Sequence, residues 1–275
     1  MVNRITRMEL SRAFGSRGLW LALGIGGAIA LCQVAVDVLP YALTLDEYLQ
    51  SDMPMKYPGW LYTLWLGGSQ SNMFSFLYFL ILPLLACLPF GDSFFTDAKG
   101  GFIQNVCIRA SRGAYFRGKY LATFLSGGVA VCLPLLLNFL VCALLLPGMR
   151  PQPAAFDSLI GENSTFAALF YGHPLLYVGL FLLILFVAGG FLATAALVCS
   201  YHTSYRFLVL VLPFILYLFV TSLFSLLGMD NWQPMNFLHP AYSEPVLLPL
   251  IVETVLLGSI TLISFVGRGS RDDIY

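Results

Sequence analysis

The chain has 275 residues, of which 59% are hydrophobic and only 10% are charged, whereas soluble domains average about 25% charged residues. Its fourteen basic and fourteen acidic residues cancel, and no basic domain stands apart that would bind nucleic acid. A chain this apolar cannot cover a water-facing surface, so the composition predicts an all-α, polytopic membrane protein with the lipid bilayer as its solvent.

Residues 1–17 form a basic segment with an interrupted apolar stripe. On a helical projection the apolar side chains collect on one side, and Glu9 and Arg12 interrupt them. The pattern suits an amphipathic helix in the inner membrane interface, with Arg4, Arg7 and Arg12 near anionic headgroups. It equally suits a simple anchor whose positive charge only fixes the inner side of the membrane.

Six apolar runs are long enough to cross a bilayer, for which about 20 residues are needed. We expect transmembrane helices at about 18–38, 72–91, 120–146, 174–199, 206–228 and 246–266. Runs of three small residues within them, SGG at 126–128 and AGG at 188–190, predict close helix packing. We interpret residues 1–275 as one membrane domain.

Lys and Arg are distributed unevenly between the connecting segments. With the N-terminus inside, twelve of the fourteen lie in inner segments, and only Lys56 and Arg150 lie in outer ones. Basic loops stay on the cytoplasmic side, so both termini are expected in the cytoplasm. An even number of spans agrees with that arrangement.

Two polar residues within the spans are candidates for a substrate pathway, Glu253 and Asn138. Glu253 lies in the last span, ~10 Å below its outer end at 1.5 Å per residue. Carboxylates inside membranes usually face a cavity or a partner. Glu253 is therefore either a group that faces a substrate or cation, or a protonated or snorkelling residue without such a role.

Sequence motifs for catalysis are missing: the chain has no HExxH, GxSxG, P-loop or dinucleotide motif. The six cysteines include no CxxC pair and no Cys/His spacing typical of a metal site. We expect no catalytic residue, no metal and no cofactor in this chain.

The segment at 92–119 joins the second and third spans, and it is basic and partly apolar. A Gly-Gly pair at 100–101 is expected to end the helix that leaves the second span. The following FIQNVCI can form one or two helical turns with Phe102, Ile103 and Val106 on one face. A new helix would then lead into the third span.

This order of residues resembles that of ABC-2 type transporter permeases. There an acidic residue and a glycine precede a short apolar helix, and S-R-x-x-Y-x-x-x-K leads into the third span. The matching positions are Asp97, Gly100 or Gly101, Phe102–Ile108, Ser111, Arg112, Tyr115 and Lys119. The six-span topology with a basic N-terminal segment is similar as well, although Ala110 replaces the family's usual proline.

The resemblance implies a coupling helix between the second and third spans that docks onto a separate ABC ATPase subunit. The residues it assigns to docking are Gly100, Gly101, Phe102, Ile103, Gln104, Asn105, Val106, Arg109 and Arg112. ATP and Mg²⁺ would then bind to that partner, because this chain has no Walker motif. The resemblance also implies a second permease subunit, identical or different.

The predicted function is therefore a transport permease, not an enzyme, in the plasma membrane of a bacterium. It would export a substrate such as a peptide, drug or lipid. The alternative is a non-transporting assembly or sensory component that docks a cytoplasmic partner. An intramembrane enzyme would need polar residues clustered at one depth, and the spans show only scattered ones.

Overall fold

The computed structural model describes residues 2–46, 60–109, 111–151, 160–161, 164–267 and 269. No strand occurs in these ranges, so the all-α prediction is confirmed for them. The helices in chain order are α1 (Val2–Phe14), α2 (Arg17–Leu43), α3 (Leu61–Leu64), α4 (Met73–Cys87), α5 (Ser93–Lys99), α6 (Phe102–Arg109), α7 (Arg112–Leu145), α8 (Ala167–Gly172), α9 (Pro174–Cys199), α10 (Arg206–Leu226), α11 (Pro234–Phe237) and α12 (Leu247–Gly267).

Within the described ranges, five helices are long and apolar enough to cross a membrane: α2, α7, α9, α10 and α12. The sequence predicted a sixth span at 72–91, but α4 has only 15 residues. Its length is about 22 Å at 1.5 Å per residue, whereas the hydrocarbon core is about 30 Å thick. The helix ends early because Pro89 cannot donate a helical hydrogen bond to Leu85, and turns at 88–92 precede α5.

Helix α7 is the central element of the bundle, and α1, α2, α4 and α9 all pack against it. Small residues permit the closest of these contacts, as their sequence pattern predicted. A Cβ atom added to Gly127 would lie 2.3 Å from Cβ of Ala193 on α9 and 2.9 Å from the carbonyl oxygen of Ala86 on α4. Only a residue without a side chain allows three helices to meet at this point.

The two ends of the bundle differ in composition. At the charged end, α5, α6, the start of α7 and the ends of α9 and α12 contribute to an aromatic cluster that includes Phe94, Phe116 and Phe265. At the opposite end, α3, α8 and α11 cover the main hydrophobic core. Part of the orientation prediction rests on residues outside the described ranges, namely Lys56, Arg268 and Arg271.

Gly127→Ala should destabilise the bundle, because the new methyl group overlaps a backbone oxygen and a side chain that cannot rotate away. Overpacking of this kind costs about 1–3 kcal/mol. The check is the thermal unfolding midpoint of the purified protein in detergent micelles. Gly24→Ala is the matched control, since nothing lies within 4 Å of its added Cβ; equal midpoints for the two variants would contradict the close contact.

Candidate functional site

Asp97 lies at the centre of a buried charge cluster, which we define as Glu9, Arg12, Asp97, Tyr115 and Lys119. Arg12 donates to both oxygens of the Asp97 carboxylate, over 2.7 Å to Oδ1 and 3.1 Å to Oδ2. Lys119 Nζ and the Tyr115 hydroxyl donate to Oδ2 at 2.6 and 2.8 Å. One carboxylate on α5 thus joins α1 and α7.

Glu9 completes the charge cluster from α1. Its Oε1 lies 2.9 Å from Nη1 of Arg12, and its Oε2 lies 2.8 Å from Nζ of Lys119. Glu9 and Lys119 are fully buried, and Asp97 is 3% exposed. Buried charges are tolerated when each is paired, and the two acids here balance the two bases.

Aromatic rings cover the cationic groups of the charge cluster. Lys119 Nζ lies 4.4 Å from the ring centroid of Phe90, and Cζ of Arg12 lies 4.6 Å from that of Phe102. Cations over aromatic faces are attracted by the ring quadrupole. Because Phe102 is the first residue of α6, Arg12 connects this helix to the cluster as well.

The surroundings of Asp97 keep its carboxyl group ionised. Burial by itself would raise the pKa of Asp97, but hydrogen bonds from Arg12, Lys119 and Tyr115 and the charge of Lys119 outweigh burial and lower it. The contribution of this carboxylate to stability is therefore present above its unfolded-state pKa and is lost only as the pH falls through the lower folded value.

The three arginines of the N-terminal segment have different environments. Arg4 and Arg7 are exposed on α1. Sequence reasoning grouped Arg12 with them near headgroups, whereas the structure pairs it with Asp97 and Glu9. Glu9 and Arg12 interrupt the apolar stripe because they point into the charge cluster.

Helix α6 follows a reversal of the chain at the predicted glycine pair. Gly100 ends α5, and Gly101 has a φ of 67°, a conformation that residues with a side chain rarely adopt. The apolar face of α6 turns inward: Ile103 is 4% exposed, and Phe102 and Val106 are half-buried against the aromatic cluster.

The exposed side of α6 differs from the contact face that the sequence predicted. The prediction put Phe102, Ile103 and Val106 toward a partner, but the chain itself buries Ile103 and covers part of Phe102 and Val106. Gln104, Asn105 and the 82% exposed Ile108 face outward instead. A helical pattern identifies residues that share a face but not what that face contacts.

Two arginines that the resemblance assigns to docking flank the link between α6 and α7. Arg109 ends α6, and its side chain lies outside the described part of the chain. Arg112 is the first residue of α7 and is half-buried.

The two candidate pathway residues lie in different surroundings. Asn138 is 2% exposed, and its amide donates to Gln33 at 2.8 Å while its oxygen accepts from the N–H of Leu66 at 2.8 Å. These bonds fasten the turn after α3 to α7, and α7 to α2. Glu253 is half-buried in the wall of a cavity.

A serine and a histidine that the sequence did not connect meet at the opposite end. Ser75 Oγ lies 2.8 Å from Nε2 of His239, whose Nδ1 accepts from the N–H of Ala241 at 3.1 Å. Nε2 therefore carries the proton and donates to Ser75, which in turn donates to the Leu66 carbonyl at 2.6 Å. A histidine in this tautomer cannot deprotonate the serine, so the pair holds α4 and the 238–241 turn together.

Comparison with known proteins finds no matching family model, no matching curated protein and no matching solved structure. In the ranges that the structure describes, no group of three or more His, Cys, Asp and Glu side chains could hold a metal ion. The charge cluster brings together four charged side chains and a tyrosine within the described chain.

Asp97→Asn should destabilise the protein by about 3–5 kcal/mol, because Lys119 and Arg12 would share one buried carboxylate. The thermal unfolding midpoint in detergent measures this loss. Asp92→Asn is the matched control, since Asp92 pairs with an exposed Arg206 and exposed pairs contribute about 1 kcal/mol or less. A loss at Asp97 no larger than the control would refute the structural role of the cluster.

Acid should weaken the opposite end through His239. Burial lowers the pKa of His239 to about 3, whereas an unfolded histidine has a pKa of about 6.5. Below pH 6.5 the unfolded state binds the extra proton, so stability falls with pH and is lower by about 2 kcal/mol at pH 5.

The measurement is the difference between the unfolding midpoints at pH 7 and pH 5. This difference should shrink in His239→Gln and persist in His202→Gln, a change at an exposed histidine. An unchanged difference in His239→Gln would show that other groups cause the acid sensitivity.

Proposed function

We propose that this chain is the membrane-spanning subunit of an ABC-2 type transporter and moves its substrate with ATP hydrolysed by a separate subunit. The observation that carries the proposal is the buried contact of Asp97 with Tyr115 and Lys119. These residues are the acidic position and the last two positions of the motif that resembles the family. Three positions of a motif recognised along the sequence are thus in direct contact in the folded chain.

The attachment of α6 to the rest of the chain supports a role in coupling. Its inner face packs on the aromatic cluster, and Phe102 stacks beneath Arg12. A displacement of α6 by a partner would therefore reach α1 through Arg12 and reach α7 through Asp97. Packed side chains and ion pairs of this kind can carry energetic coupling between sites.

The exposed face of α6 provides a contact surface for the ATPase subunit. Ile108 offers an isolated apolar anchor beside the polar side chains of Gln104 and Asn105. Apolar anchors within a polar rim are typical of protein interfaces. Arg117, exposed on the first turns of α7, would add positive charge that steers an acidic partner.

The proposal includes a membrane arrangement that goes beyond the five long helices. Helix α4, extended by the turns at 88–92, would be the second of six spans, and both termini would lie in the cytoplasm of a bacterial cell. Two such subunits, identical or different, would enclose the pathway. ATP and Mg²⁺ would be held by the ATPase, and export of a peptide, drug or lipid is the proposed direction.

A non-transporting component that docks a cytoplasmic partner is the second candidate function. The polar outer face of α6 favours it, since Gln104 and Asn105 could bind a partner without transmitting any movement. The two candidates differ in whether ATP hydrolysis depends on this contact.

The test is co-purification of the chain with a candidate ABC ATPase in lipid nanodiscs, followed by an assay of ATP hydrolysis. Ile108→Asp should reduce complex formation at least tenfold, because it adds an unpaired charge at the proposed anchor. Ile108→Leu should retain the complex. Ser204→Asp, a change at an exposed residue of the loop between α9 and α10, should also leave it intact.

The outcome separates the candidates. Hydrolysis that rises on complex formation and falls with Ile108→Asp supports the permease. A stable complex whose hydrolysis rate is the same with and without the chain supports the docking component instead.

A further inference from the structure

A cavity of about 160 Å³ lies between α9, α10, α11 and α12. Its wall is almost entirely apolar and includes Phe191, Leu192, Pro213 and Phe237. An apolar cavity of about 150 Å³ can hold a benzene molecule. The space therefore accommodates an aromatic ring or a short alkyl segment.

Glu253 is the exception in this wall. Among the described residues that line the cavity it is the one carboxylic acid, and no Lys, Arg or His accompanies it. Its Oε1 is buried and has no hydrogen-bond partner within the described chain. Tyr217 in the same wall cannot serve, because its hydroxyl already donates to the carbonyl of Phe79 at 3.2 Å.

A buried carboxylate oxygen without a partner is costly, and Glu253 lies about 9 Å along α12 from its first residue. At this depth of an apolar helix, water is a poor source of hydrogen bonds. A ligand that brings its own donor would relieve the cost.

The cavity is open toward the surface of the bundle that faces lipid. Leu216 on α10 lines the cavity and is 52% exposed. Helices α10 and α12 both pack against α9, but in the described structure they make little contact with each other. A molecule dissolved in the bilayer could therefore enter between these two helices.

We infer that this cavity binds a lipophilic amine from the bilayer, with its apolar part between α10 and α12 and its ammonium group on Glu253. The apolar wall selects the body of the ligand, and the lone carboxylate selects its charge. A charge-assisted hydrogen bond is stronger than a neutral one, and the low dielectric around it strengthens the attraction further. An alcohol of the same shape could also donate to the carboxylate, but it carries no positive charge and would form no ion pair with Glu253.

The inference rests on the proposed function, for which it names a substrate class. Its test is nevertheless independent of ATP, because it uses the chain alone in lipid nanodiscs. The probe is an octylamine that carries a photoreactive diazirine on its alkyl chain, compared with the corresponding octanol. After illumination, the labelled peptides are identified by mass spectrometry.

The amine should label α10 and α12 near Leu216 and Leu257, at least fivefold more than the alcohol does. Glu253→Gln keeps the shape of the side chain and should reduce amine labelling there at least fivefold. Glu244→Gln removes an exposed carboxylate outside α12 and should leave labelling unchanged. Size-exclusion chromatography checks that each variant is folded.

Equal labelling by amine and alcohol, or equal labelling of the wild type and Glu253→Gln, would overturn the amine site. Failure of the permease proposal has a different signature. If the amine labels the cavity but the complex shows no ATP-linked activity, the binding site stands and the permease proposal fails. If the complex shows ATP-linked activity but the amine does not label the cavity, only the amine site fails.

Discussion

The paired carboxylate of Asp97 is the interaction on which the charged end of the molecule depends. It accepts hydrogen bonds from α1 and α7 while it sits on α5. Helix α6 has no comparable ion pair among the described contacts, yet it is bound to the same cluster through the ring of Phe102 under Arg12. The five side chains of the charge cluster thereby hold α1, α5 and α7 in one arrangement, and Phe102 adds α6 to it.

Buried ion pairs contribute less to stability than their number suggests, because each charge must be removed from water. Apolar side chains of the same size would hold α1 against α7 at lower cost. What the charge cluster adds is geometric: defined donors use both oxygens of Asp97, so a shift of α1, α5 or α7 breaks at least one buried ion pair. We therefore regard the charged end as a unit that moves as a whole.

The sequence was informative where the determining interactions are local. The apolar runs predicted the long helices, and the glycine pair at 100–101 predicted the reversal before α6. It was less informative about α4, because hydropathy measures only how apolar the residues are. It does not show that Pro89 lacks the N–H that would continue the helix. It could not find the partners of Arg12, since Asp97 lies 85 residues away along the chain.

The inward face of α6 illustrates the same limit. Phe102, Ile103 and Val106 share one side of a helix in any environment, but the aromatic cluster that covers them comes from α5, α7 and α12. One signal could have pointed to the cluster beforehand. Glu9 and Arg12 break an apolar stripe with opposite charges three residues apart, and Asp97 and Lys119 offer the complementary pair.

The distance along the chain between these partners also has a consequence for synthesis. Helix α1 precedes α7 in the chain, so Glu9 meets Lys119 only after the start of α7 has been made. Until then its acidic and basic side chains have to remain in water or among lipid headgroups. Helix α1 thus reaches its final position only after the start of α7 has been made, and the assembly of the charged end must await the second of the five long helices.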